Sequence, residues 1–383
     1  MIEKIDKKLL ADVDICDTKS KKFCIVKFRN LDALNEYAKD KKNICYVFTC
    51  IKSVAVELDM KNVYDVASKD SVVYISSVPK VCTMINVAKE IIGVKNNLGS
   101  NGNFSVAVID TGLYPHMDFI VSGRNRITAF VDMISSKNVI YDDNGHGTAI
   151  TGVLSGSGIV SDTKYEGIDS NVDIVVIKAL DSNGETNALN ILKSMQWVYD
   201  NADKYNIKVV CMSFGSTLLE NNDPLIAGAE VLWDKGIVVV TACGNSGPEY
   251  ETIKSPSASP KVISVGAMDD NRNGDNFDIK NFEVADFSSR GPALGNYKPD
   301  LVVSGVNVIA TSNYGITKKF YDRLSGTSVA TPIVAGVVCR LIRMYPKHTP
   351  DQIKNILINN CRPITGDMNI EGYGWLDLHK LFS

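Results

Sequence analysis

No stretch of the 383-residue chain approaches the ~20 consecutive apolar residues of a membrane-spanning helix, so no membrane association is expected. There is no CxxC pair and no Cys/His cluster, which removes the usual zinc frameworks. The nine cysteines (16, 24, 45, 50, 82, 211, 243, 339 and 361) are odd in number and scattered. Reduced, mostly buried thiols fit that pattern better than a disulfide scaffold. A dominant charge is missing too: the formal net charge of −3 gives no reason to expect nucleic acid or an anionic surface as partner. The opening MIEKIDKKLLADVDICD lacks the apolar core and small-residue cleavage site of a secretory signal. A cytoplasmic location is the resulting expectation, with non-classical export or spore association left open.

What is present divides into two rhythms. KKFCIVKF (21–28), NICYVFT (43–49), KSVAVEL (52–58) and SVVYISSV (71–78) read as strands. LDALNEYAKD (31–40) and MKNVYDVA (60–67) read as helices, the second capped by Asp59. The order β-α-β-β-α-β is the split βαβ, or ferredoxin-like, pattern. After a mixed segment over 78–103, a different unit begins. Continuous apolar strands, FSVAVID (104–110), VDIVVIKAL (172–180), IKVVCMSF (207–214), GIVVVTAC (236–243) and KVISVGAM (261–268), recur with helical stretches such as 188–200 and 223–236 between them. This predicts an α/β fold with a mostly parallel central sheet flanked by helices, whose chemistry gathers at the carboxyl ends of the strands.

Four pieces sit at such ends. VAVIDTG closes a strand with Asp110, a costly buried charge unless partnered. DDNGHGT frames His146 between glycines, and the chain has only four histidines (116, 146, 348, 379). In LSGTSVATP, Ser328 opens a helix, where the helix dipole and free N–H groups favour negative charge beside the hydroxyl. In VVTACGNSGP, a turn presents the Asn245 amide. Each has an ordinary reading in isolation: a turn cap, a packed histidine, a helix cap, a left-handed turn residue. The order Asp…His…Ser, with Asn before Ser, is that of subtilisin among the convergent triads.

DTG, GHGT and GTSxATP closely resemble the signatures of the subtilisin-like serine proteases (subtilases, peptidase family S8). The likeness covers roughly residues 100–383, and YDDNGHGT, ACGNSGP, KVISVGAMDDN and DFSSRGP look most like the AprX-type intracellular members. The resemblance implies a serine endopeptidase acting on protein or peptide substrates. Ser328 would be the nucleophile, His146 the general base, Asp110 its orienting partner and Asn245 an oxyanion donor. Ser213, Phe214 and Gly215 would pair with the substrate backbone, and Ala242, Cys243 and Gly244 would wall the primary specificity pocket. Small apolar walls and a neutral Ser246 predict apolar or aromatic P1 residues. Cys243 is either a reagent-sensitive thiol at that pocket or an inert buried one. The resemblance also suggests a cis X-Pro bond at Ser255-Pro256, ahead of Ser259-Pro260.

Two departures stand out. Ala149 replaces a second histidine usual after GHGT, which touches no triad role. The loop SGSGIVSDTKYEGI (155–168) is unlike the asparagine-containing loop of the strong calcium site in secreted subtilisins, so that site is expected to be absent. No cofactor is expected to be required, with a weak structural Ca2+ site left open. Residues 1–80 match the shape of a ferredoxin-like prodomain, with 81–383 as the peptidase domain. Such a prodomain would inhibit the cleft through its C-terminal tail and be removed by self-cleavage between Ser76 and Met84. The alternatives are a sporulation- or germination-associated Csp-like subtilase and a catalytically silent binding scaffold.

Overall fold

Alternation along residues 22–28 buries Cys24, Val26 and Phe28 and leaves Lys27 exposed, the period-2 signature of a half-buried strand. The computed structural model describes residues 2–5, 21–39, 44–48, 52–77, 104–218, 223–271 and 278–382. The chain divides into two compact units, 1–81 and 82–383. In the first, β1 (Lys22–Phe28), α1 (Leu31–Lys39), β2 (Ile44–Phe48), β3 (Ser53–Leu58), α2 (Met60–Ala67) and β4 (Val72–Ser77) follow in sequence. They form an antiparallel sheet in the order β2-β3-β1-β4. This is the split βαβ arrangement. Leu34 from α1 and Val63 and Val66 from α2 close over Val26, Val54 and Val56. Asp59 caps α2 by accepting the Asn62 N–H at 2.9 Å.

The second unit contains β5 (Ser105–Asp110), β6 (Ile127–Asp132), α3 (His146–Ser155), β7 (Asp173–Lys178), α4 (Ala188–Asn201), β8 (Ile207–Met212), α5 (Pro224–Asp234) and β9 (Val238–Ala242). It continues through β10 (Ile263–Asp269), β11 (Glu283–Val284), β12 (Leu301–Ser304), β13 (Val308–Thr311), β14 (Tyr321–Leu324), α6 (Thr327–Met344), α7 (Pro350–Asn359), β15 (Cys361–Arg362) and β16 (Trp375–Leu376). Among the described residues one ten-stranded sheet runs β15-β16-β12-β10-β9-β8-β5-β7-β6, with β11 beside β10. It is parallel except at the β10–β11 and β15–β16 pairs. The five strands legible as continuous apolar runs are its centre. β6 escaped notice because it is only half-buried and reads as a mixed segment.

Helix α6 packs on β8, β9, β10 and α3, while α4 and α5 pair with each other. By length and composition α6 could cross a membrane, although no long apolar run was expected; 78% of it is buried as the core helix. Ser255-Pro256 is cis, as are the Gly247-Pro248, Gly291-Pro292 and Lys298-Pro299 bonds. The segment 78–103, and with it most of the expected cleavage region, lies outside the described residues.

Candidate active site

β5 delivers Asp110 to the carboxyl edge of the sheet, where it is 1% exposed. A carboxylate there needs partners. Its Oδ1 accepts the Thr111 N–H and faces His146 Nδ1, each at 2.7 Å. His146 is the first residue of α3, and the loop before it is wound around the buried Asp142. Asp142 Oδ1 accepts from Gly145 N at 2.8 Å and Thr111 Oγ1 at 2.9 Å, and its Oδ2 accepts from Thr148 N at 3.0 Å. Gly112 lies against this loop with φ +121°, and a Cβ there would stand 2.2 Å from the Tyr141 carbonyl oxygen. Only glycine fits, which gives the DTG motif its physical reason. Burial works against a charged His146 ring, but the Asp110 charge, its hydrogen bond to the ring and the Asp142 charge together outweigh it, so its pKa is raised above the ordinary value. The side chain keeps 31% exposure, enough to meet a substrate.

Ser328 is the second residue of α6. Gly326, the N-cap, has φ +156° and ψ +158°, a region essentially reserved for glycine. A Cβ built on Gly326 would lie 3.0 Å from Ser328 Oγ, 3.3 Å from Asn245 Nδ2 and 3.7 Å from Ser328 N. The missing side chain therefore leaves a small space onto which hydroxyl, amide and backbone N–H converge. Asn245 is fixed in that orientation because its Oδ1 accepts both Thr327 N and Thr327 Oγ1 at 2.9 Å. Two donors on one oxygen settle which end of the amide faces the site. Pro332, inside α6, has no N–H to offer the Ser328 carbonyl. Among the described residues no hydrogen bond joins Ser328 Oγ to His146, a contact that commonly tightens only with substrate bound.

A hydrogen-bonded Asp–His pair, and a serine and an amide that converge at a helix N-terminus, are matched by kinship in sequence. The sequence model of the subtilase family covers residues 101–375. This chain belongs to the subtilase family. Serine protease AprX of Bacillus subtilis (strain 168) is 39% identical over 307 residues, spanning 75% of this chain and 67% of the relative. The thermostable alkaline protease of Halalkalibacterium halodurans is 31% identical over 280 residues, spanning 73% and 68%. Among solved structures, sphericase superposes with a TM-score of 0.62 at 24% identity, over 76% of this chain and 97% of that one. The S41 psychrophilic protease superposes with a TM-score of 0.63 at 25% identity, over the same shares. The chain is thus a subtilisin-like serine protease family member with the subtilisin-like fold.

In this subtilase, Ser213, Phe214 and Gly215 leave the end of β8, with Ser213 buried and Gly215 exposed. Phe214 and Gly215 border a 300 Å³ cleft together with Leu180, Ile191 and Leu225. Ala242, Cys243 and Gly244 continue from β9 and are all buried. Cys243 turns away from that cleft, its Sγ lying 3.4 Å from the Ser289 carbonyl oxygen and 3.6 Å from Ser288 Oγ. Cys243 is fully buried and burial pushes its thiol up to about 12, both of which favour the inert of its two readings.

Sequence reading missed several supports. Asp142 and Thr327 hold the His146 loop and the Asn245 amide. Lys178, the sheet partner of Asp110, is fully buried and donates to the Thr111 carbonyl and to Asp143, each at 2.6 Å. A lysine inside the apolar run VDIVVIKAL was the available signal for it. Among the described residues no group of three or more His, Cys, Asp or Glu could hold a metal ion.

Proposed function

We propose that this subtilase is a serine endopeptidase made as a self-processing zymogen. Ser328 is the nucleophile, His146 the general base and then acid, and Asp110 the group that orients the imidazole. The observation that carries the reading is the space at Gly326, 3.0 Å from Ser328 Oγ and 3.3 Å from Asn245 Nδ2. Ser328 Oγ attacks the scissile carbonyl as His146 takes its proton, and the new oxyanion accepts from Asn245 Nδ2 and the Ser328 N–H. His146 returns the proton to the leaving amine, and water completes the cycle on the acyl-enzyme. Asp110, 2.7 Å from Nδ1, keeps the proton on that nitrogen and stabilises the imidazolium. The substrate runs as an added strand along Ser213-Phe214-Gly215.

The first unit is read as the prodomain, which inhibits the enzyme until it is cut away. Its split βαβ topology and its place before the peptidase unit support this. Freedom from a strong calcium site belongs to the same reading, and Arg126 supports it. This 2% exposed guanidinium donates to the Asp118 carbonyl at 2.9 Å, the Val172 carbonyl at 3.1 Å, and the Ser155 hydroxyl and carbonyl. A cation belonging to the chain itself thus ties down the start of the 155–168 loop. A reducing, cytoplasmic setting is read from the free thiols Cys24, Cys211, Cys243, Cys339 and Cys361, all but the last buried.

The test compares wild type with Ser328→Ala by casein hydrolysis and intact mass. Wild type should cleave casein and lose its N-terminal segment, while the variant stays inactive at the full 41.8 kDa. Equal casein cleavage by both proteins overturns the nucleophile assignment. Full-length mass in both overturns self-processing.

A further inference from the structure

Which peptide bond the Ser328 centre cuts depends on what lies between the two walls of its specificity pocket, a question that rests on the peptidase reading above. One wall is the segment 213–215 and the other 242–244. The chain that links them is the short stretch Lys254-Ser255. Lys254 N donates to the Cys243 carbonyl at 2.9 Å, joining it to the second wall. Ser255 N donates to the Ser216 carbonyl at 3.0 Å and Ser216 N returns a bond at 2.9 Å, joining the next residue to the first wall. Lys254 therefore stands at the floor of the gap.

The base of its side chain lies in that gap. A Cβ added at Gly215 would lie 2.6 Å from Lys254 Cβ, and one added at Gly244 would lie 2.5 Å from Lys254 Cγ. Both glycines, one on each wall, are thus in van der Waals contact with the same lysine stem. The residue is only partly exposed, and its ammonium has no hydrogen-bond or ion-pair partner among the described residues. An unpaired ammonium carried on a stem held between two backbone walls favours a carboxylate over any neutral group of the same shape. The methylenes beneath it take up the depth that an aromatic ring would need.

We propose that Lys254 is the specificity-determining residue of this subtilase and selects substrates with Glu or Asp at P1. The small walls by themselves pointed to apolar or aromatic P1 residues; the floor reverses that preference. Aromatic P1 side chains are excluded by the lysine stem, and lysine or arginine is repelled by its charge.

The experiment uses the mature enzyme and peptide p-nitroanilides that differ only at P1 (Glu, Gln, Leu, Phe, Lys), with a fluorophosphonate probe for Ser328 in the same samples. Wild type should cleave after Glu about 10–100-fold faster than after Gln in kcat/KM, a ratio that shrinks as salt is added. Lys254→Met, which keeps the stem and removes the charge, should bring the ratio near one, and Lys254→Gly should open the pocket to Phe. Faster cleavage after Phe than Glu by wild type, or a Glu/Gln ratio unchanged in Lys254→Met, overturns the role of Lys254. If Ser328 is labelled in those samples, the peptidase reading survives that failure. If Ser328 is not labelled and no peptide is cut, both fall.

Discussion

Replacing Asn245 with Ala removes one of two donors aimed at the space beside Ser328 Oγ and leaves the Ser328 N–H as the other. Side-chain donors of this kind, subtilisin's among them, are worth about 10²–10³ in kcat, or 2.7–4 kcal/mol. The loss should fall on kcat with KM nearly unchanged, because the amide meets an oxygen that carries full charge only in the transition state. A second effect is separable. Asn245 Oδ1 also accepts from Thr327 N and Oγ1 at 2.9 Å, so the Asn245→Ala change leaves the start of α6 with an unpaired N–H. That costs roughly 1 kcal/mol of stability, a shift of a few degrees in Tm. Thr327→Val provides the graded control. It removes one of the two bonds that aim the amide and keeps the donor itself, so kcat should drop only about fivefold, the worth of one such bond. The assay is steady-state hydrolysis of a peptide p-nitroanilide by mature enzyme, with Tm measured on the same preparations. A kcat within threefold of wild type for Asn245→Ala, or a loss confined to KM, would refute the oxyanion assignment.

Asp110→Asn should lower kcat about 10⁴-fold while Ser328 and the oxyanion donors stay in place. The acid limb of wild-type kcat/KM should lie above the ordinary histidine pKa, because Asp110 raises that of His146 and only the neutral ring can act as base. In Asp110→Asn the limb should move to lower pH, and a pH–rate profile with an unmoved limb counts against the pairing. EGTA should leave both activity and Tm unchanged. Arg126→Met should lower stability by at least about 3 kcal/mol, since the Asp118, Ser155 and Val172 carbonyls lose a buried donor, and a calcium-dependent Tm in wild type would contradict this. Iodoacetamide should leave Cys243 unmodified in the native protein and modify it in urea, as peptide mapping would show; rapid native labelling would mean the thiol is exposed.

The parts of the site that were legible are those enforced by local geometry. Gly112 must be glycine because a Cβ would strike the Tyr141 carbonyl, and Gly326 because of its φ and ψ. Such constraints write themselves as DTG and GTS, and Asp110, His146, Ser328 and Asn245 could be named from them. The central strands were equally plain, since a parallel sheet covered on both faces needs unbroken apolar runs. What stayed hidden depends on bonds between distant segments. Lys254 sits eleven residues from Cys243 and becomes a pocket floor only through its bond to that carbonyl and the Ser216–Ser255 bridge. Thr327 looks like an ordinary helix residue until Asn245, far back in the chain, accepts from it. Arg126, in a segment that carries no motif, gathers its acceptors from residues 118, 155 and 172. No periodicity announces such contacts.

The central claim, a single activated nucleophile at Ser328, is tested most directly by peptide mapping after fluorophosphonate treatment of mature enzyme. The expected result is one adduct, on Ser328, formed at a rate that collapses in His146→Ala. Casein hydrolysis that continues at full rate with Ser328 unmodified, or an adduct on another serine, would contradict it.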